Sequence, residues 1–194
     1  MGISRPSPTG SSVYQQAERL MLAHPWRPEI EVDQIPAPAR IAPYSCAVAA
    51  DVLIEDAEMG NGRLVLLHDP AGNDAWAGTY RLVSFVHADV DIEMVTDPLL
   101  PEVGWSWMLD ALRDHEAAHT AASGTVTSVA SRGFGALAED PTRAEVEIRS
   151  SWTPLIHAPG DLTAHLNAWG DLLCQVAGLP PLPQGVTPLL PRAR

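Results

Sequence analysis

Tyr80-Arg81-Leu82-Val83-Ser84-Phe85-Val86-His87-Ala88-Asp89-Val90-Asp91-Ile92-Glu93-Met94 alternates from end to end. Its even positions (Tyr80, Leu82, Ser84, Val86, Ala88, Val90, Ile92, Met94) are apolar or small, and a period of two puts them all on one face of a strand. The odd positions read Arg81, Val83, Phe85 and His87, then Asp89, Asp91 and Glu93. Neither glycine nor proline interrupts the run, so the spacing predicts one long strand, bent midway, with one face turned to a core. Its other face offers an apolar pair, Val83 and Phe85, and then a comb of acids.

Upstream, Ser12 and Gln15 form a capping box, and Val13, Ala17, Leu20 and His24 recur at helical spacing, which predicts a helix over 12–24 stopped by Pro25. The prolines at 25, 28, 36, 38 and 43 predict an extended surface connector. Strands are expected over 45–54 and 63–68. Gly60-Asn61-Gly62 reads as the turn between them, and the run from Asp69 to Asp74 as the turn before the long strand.

Downstream, Trp105, Met108, Leu112, His115 and His119 make one stripe of a helix over 102–121, with Gly124 beyond its end. Strands over 125–137 and 144–155 follow, joined through Glu139-Asp140-Pro141-Thr142; Gly133 and Gly135 suggest a bulge in the first. A last helix opens at Asp161, carries Leu162, Leu166, Trp169, Leu173 and Val176 on one side, and closes at Gly178. The element order is therefore α-β-β-β-α-β-β-α. Successive hairpins favour an antiparallel sheet of about five strands with helices packed on one face, an α+β fold in a single domain over 1–194. Residues 1–11 are expected to be disordered, and 180–194 to form an extended proline-rich tail.

Composition narrows the function classes. The 194 residues carry 24 acidic and 12 basic side chains, a net charge of −12, and every basic residue is an arginine. Nucleic acid and anionic membranes demand a local excess of positive charge, so neither is an expected partner. Two cysteines, Cys46 and Cys174, are too few for a disulfide framework and suit a reducing compartment. The start lacks the apolar core of a signal peptide, and the uncharged stretch 172–191 holds five prolines, which argues against a membrane span. A cytoplasmic location is expected, and no cofactor.

One segment matches a catalytic pattern. His115-Glu116-Ala117-Ala118-His119 is an H-E-x-x-H, in which two imidazoles one helical turn apart can hold zinc while the glutamate activates a bound water. It resembles the zincin metallopeptidases, and Glu139 lies at a distance that suits a third ligand. Against this, a β-hairpin follows where zincins continue in helix. Ala122 stands where the extended motif needs glycine, and Glu139 falls in a turn, where solvated acids are ordinary. His115 and His119 also suit the C-terminal end of a helix without any metal. The acids Asp89, Asp91, Glu93, Glu145 and Glu147 read first as the wet face of a sheet.

Three segments carry a family resemblance: Gly124-Thr125-Val126-Thr127 through Phe134-Gly135-Ala136-Leu137, Val146-Glu147-Ile148-Arg149 with Ser151-Trp152-Thr153-Pro154, and Trp169 through Pro183. They resemble the uncharacterised actinobacterial family named for "domain of unknown function 3000", which implies a bacterial cytoplasmic protein and brings no activity or functional residue. The element order is similar to that of type III secretion chaperones, small acidic proteins that dimerise and bind other polypeptides; element order does not fix function. The sequence thus favours a non-enzymatic protein-binding or regulatory module, capable of self-association, with Val83 and Phe85 in its interface. A zinc-dependent hydrolase built on Glu116, His115, His119 and Glu139 is the alternative, and a small-molecule binding domain a third class.

Overall fold

The computed structural model describes residues 8–180. Expectations for 1–7 and 181–194 lie outside the described residues. The alternating segments form one antiparallel sheet of six strands: β1 (Ile30–Ile35), β2 (Tyr44–Ile54), β3 (Ala57–Asn73), β4 (Gly78–Asp89), β5 (His119–Ser131) and β6 (Arg143–Pro154). Their spatial order is β1-β2-β3-β4-β6-β5, so β6 enters between β4 and β5. Helices α1 (Pro8–Leu22), α2 (Ile92–Thr96), α3 (Leu100–Asp114) and α4 (Leu162–Val176) complete the α+β fold.

The even face of β4 is the core face. Tyr80, Leu82, Val86 and Ala88 are buried there with Leu64 and Leu66 of β3 and Val146, Ile148 and Trp152 of β6. Leu162, Leu166, Trp169, Leu172 and Leu173 of α4 close over them, while Met108 and Leu112 come from α3 and Ala17 and Met21 from α1. Two buried indoles tie α4 to the sheet. Trp169 Nε1–H donates to Ser84 Oγ (2.9 Å), and Trp152 Nε1–H donates to His165 Nδ1 (3.1 Å). Both cysteine thiols are free and buried, Cys46 in β2 and Cys174 in α4, and burial pushes each pKa up to about 11.

Several expected boundaries move, each for a physical reason. The first helix starts at Pro8, where a first-turn proline costs no hydrogen bond, and ends at Leu22; His24 instead meets the Trp26 ring edge-on at 4.4 Å. Part of the expected connector is the edge strand β1, paired from Ile30↔Val52 to Ile35↔Ala47. Gly60-Asn61-Gly62 is no turn. The chain reverses at Glu55 and Asp56, both at positive φ, and the two glycines lie inside β3. There the helix comes too close for a side chain: a Cβ at Gly62 would sit 2.6 Å from Leu173 Cδ2 and 2.8 Å from the Phe85 carbonyl oxygen.

The long strand also stops early. β4 ends at Asp89, opposite Glu145, and Val90 N–H makes one last bond to the Ala144 carbonyl. With no further ladder to join, 92–96 turn into α2, so Asp91 and Glu93 sit at a helix start, where negative charge suits the dipole. Gly124 lies within β5 rather than beyond a helix, and Gly133 and Gly135 lie past the end of that strand, Gly135 opening a short 3-10 turn.

Two predictions follow from this packing. Gly62→Ala should destabilise the protein by about 1–3 kcal/mol, read from urea unfolding, because the strand must shift from both the helix and its neighbour. The second concerns pH. Burial, reinforced by nearby His119, lowers the His165 pKa to about 4, and burial lowers those of His68 and His24. A depressed histidine contributes stability that is whole above its unfolded value and is lost as protons bind the unfolded chain. Stability should therefore fall from about pH 6.5 to pH 4, with His165 alone contributing on the order of 3 kcal/mol. A flat unfolding midpoint across that window would contradict this.

Candidate functional site

The H-E-x-x-H segment does not lie on a helix. α3 ends at Asp114, His115 is its C-cap, and Glu116 takes a left-handed conformation at φ 53°. Glu116 N–H then bonds the Arg113 carbonyl (3.0 Å) and Ala117 N–H bonds the Leu112 carbonyl (2.8 Å), the paired closure of a Schellman end. His119 opens β5. The two imidazoles are consequently engaged in separate places. His115 Nε2 meets Asp171 Oδ2 of α4 at 2.6 Å, and His119 Nδ1 donates to the Ala117 carbonyl at 2.8 Å. Glu116 is exposed, and Glu139 is exposed in the loop after the 3-10 turn. Spacing of i, i+4 carries the zinc argument only inside a helix, and the chain leaves the helix within the motif.

Among the described residues, one group of three metal-type ligands comes together: His87, Asp89 and Glu145, with ligand atoms within 4.8 Å of one another. His87 Nε2 already lies 3.3 Å from Glu145 Oε2.

The sheet face turned away from the helices is more informative. Antiparallel register sets its side chains in rows. Val65, Val83, Ser151 and Ser123 make one row; Arg63, Phe85, Arg149 and Thr125 make the next; Asn61, His87, Glu147 and Thr127 the third; Asp89, Glu145 and Val129 close the face. The sequence-predicted pair thus occupies adjoining rows at the centre of the sheet. Val83 is 38% exposed and Phe85 half-buried. Together with Arg63, Val65, Ser123, Thr125, Arg149 and Ser151 they line an open trough of about 490 Å³.

Phe85 has an arginine on each cross-strand side. The Arg149 guanidinium carbon lies 5.2 Å from the Phe85 ring centroid, within cation–π range, and Arg149 Nε also donates to Glu147 Oε1 at 2.6 Å. Arg63 is exposed, with no hydrogen bond or ion pair among the described residues.

A third arginine lies beneath the end of the trough. Arg81 is only 8% exposed, and its four hydrogen bonds all go to neutral groups. Nη1 donates to the Ala121 carbonyl (2.9 Å) and Thr153 Oγ1 (3.1 Å), and Nη2 to Ser123 Oγ (3.2 Å) and Ser151 Oγ (2.6 Å). Burial lowers its pKa, yet a guanidinium keeps its proton at any ordinary pH. No carboxylate pairs with it among the described residues. Sequence reading marks Val83 and Phe85 but misses Arg63, Arg81 and Arg149, because their convergence depends on which strands are neighbours. The available signal is the outward position of each in its strand.

These features define an α+β protein with one helix-covered sheet face and one open face that combines an apolar centre with arginines. The chain belongs to the family described as "Protein of unknown function (DUF3000)", whose model matches residues 10–187. No curated protein and no solved structure matches it. No helix among the described residues is long and apolar enough to cross a membrane.

Because Glu116 occupies the position that glycine normally fills in this helix ending, Glu116→Gly should stabilise the fold by about 1 kcal/mol in urea unfolding. A loss of stability would show that the Glu116 side chain holds the turn.

Proposed function

We propose that this protein is a non-enzymatic binding module that takes an acidic polypeptide segment on the open face of its sheet. The observation that carries this reading is the row Arg63-Phe85-Arg149 set against the apolar row of Val65 and Val83. A chain of net charge −12 repels most acidic partners. Here it gathers two outward arginines around an aromatic ring, with a third arginine buried beside them. Carboxylates of the partner would accept from Arg63, where a guanidinium's planar fork gives direction as well as charge, while Arg149, already held by Glu147, keeps its guanidinium over the Phe85 ring. Its apolar side chains would cover Val65, Val83 and Phe85, giving an apolar centre inside a charged rim. Arg81 adds positive potential without needing to touch the partner, since its guanidinium is occupied by hydroxyls and a carbonyl. The trough is wide and open, which suits a side-chain-bearing segment better than an enclosed small molecule.

Fluorescence anisotropy with a short labelled peptide of alternating glutamate and leucine provides the test. Binding is expected, weakening as salt is added. Arg63→Glu or Val83→Asp should each lower affinity by about tenfold or more, equivalent to about 1.4 kcal/mol. A lysine-leucine peptide should not bind. Absence of binding, or binding indifferent to both substitutions, would remove the proposal.

A further inference from the structure

We infer that the end of the trough above Arg81 is an oxyanion subsite, in which the Ser123 and Ser151 hydroxyls donate to a carboxylate or phosphoryl group. Arg81 is the residue that points to an anion. Its guanidinium is charged, the side chain is only 8% exposed, and it meets four neutral oxygens and no carboxylate among the described residues. Burying a cation without a counter-charge is costly, and hydrogen bonds to neutral groups offset only part of that cost. The backbone adds a second cost at the same place. Ala121 takes a left-handed φ of 50°, which a residue with a Cβ adopts at a penalty, inside the irregularity that interrupts β5 between Thr120 and Ser123. Its carbonyl accepts from Arg81 Nη1. Both costs go to holding one guanidinium just beneath an open surface.

The hydroxyl hydrogens decide which side that charge serves. Thr153 Oγ1 accepts from Arg81 Nη1 and gives its own hydrogen to the Trp76 carbonyl, so it is satisfied inside the protein. Ser151 Oγ and Ser123 Oγ both accept from Arg81 Nη2, at 2.6 and 3.2 Å. Among the described residues their hydrogens have no protein acceptor but each other, across 3.4 Å, and only one of the two can point that way. At least one O–H is therefore directed away from the guanidinium, and both serines line the trough, Ser123 exposed and Ser151 half-buried. A hydroxyl whose oxygen accepts from a cation is polarised and becomes a stronger donor. Such donors, backed by an unneutralised positive charge, select oxygen anions. The anion meets the serines and not Arg81 itself. Its carrier is an acidic or phosphorylated side chain of the bound segment, and for that carrier alone the inference rests on the peptide reading.

The experiment is an NMR titration of the full-length protein with inorganic phosphate and with acetate, at constant ionic strength and with chloride as reference. Both oxyanions should shift the Ser123 and Ser151 amides and the Arg81 Nε–H saturably, where chloride does not. A Ser123→Ala/Ser151→Ala variant should bind phosphate at least about tenfold more weakly. Ser123→Ala alone changes an exposed position and leaves Ala121, Thr153 and Ser151 on Arg81, so it keeps the fold even where the double variant loses it. About threefold weaker phosphate binding is expected of it. Tighter binding of phosphate identifies a phosphoryl group as the natural oxyanion, and tighter binding of acetate a carboxylate. Shifts no larger than with chloride, or an affinity unchanged by the serine substitutions, overturn the inference. The glutamate–leucine peptide is measured on the same proteins. Peptide binding without any oxyanion effect at the serines leaves the peptide reading standing and removes this inference alone. Oxyanion binding at the serines without peptide binding keeps the subsite and removes the peptide reading.

Discussion

The fold depends on α4 lying close against the sheet. Two buried N–H bonds fix that contact, Trp169 to Ser84 and Trp152 to His165. A buried indole N–H left without an acceptor would cost more than the bond itself contributes, so both rings are confined to one placement. Space for Trp169 comes from Gly62, which lies beneath it and Leu173, and Gly124 makes the same room for Trp105 of α3. The sheet is thereby committed to face the helices with one side only, and the other side is left for surface chemistry.

How much of this can be read from the sequence depends on whether a feature is local. Alternation in β4 and β6 announces the core face, because period two needs no knowledge of neighbours. Helix ends divide differently. α4 and α3 close with the same pair of hydrogen bonds, yet the first announces itself through Gly178 at φ 79° and the second hides behind Glu116. Only glycine makes the left-handed position visible, so α3 reads as longer than it is and the H-E-x-x-H segment reads as helical. Gly60 and Gly62 mislead in the opposite direction. They look like a turn but serve a close helix–strand approach, while Glu55 and Asp56 make the turn unannounced. The end of β4 is nonlocal again, since residues 90–94 would alternate well enough had any ladder been there to receive them.

The open face shows the same division. Val83 and Phe85 are legible as outward apolar residues of one strand. The arginines beside them come from β3 and β6, and the insertion of β6 between β4 and β5 places Arg149 against Phe85. A sequence in which acids outnumber bases two to one gives little reason to expect that its scattered arginines meet. Arg81 is the clearest case. A cation within the sheet surface, held by Ser123, Ser151, Thr153 and a carbonyl, is paid for by hydrogen bonds rather than by a counter-charge, and its field is correspondingly unneutralised.

The two buried thiols have a consequence of their own. Thiolate, the reactive form, is suppressed twice over at Cys46 and Cys174, by the raised pKa and by the closed packing around each sulfur. Alkylating reagents meet them only when β2 or α4 has come away from its neighbours. The molecule therefore carries an intrinsic clock on each side of its core, recording how often one layer parts from the other without any label having to be introduced.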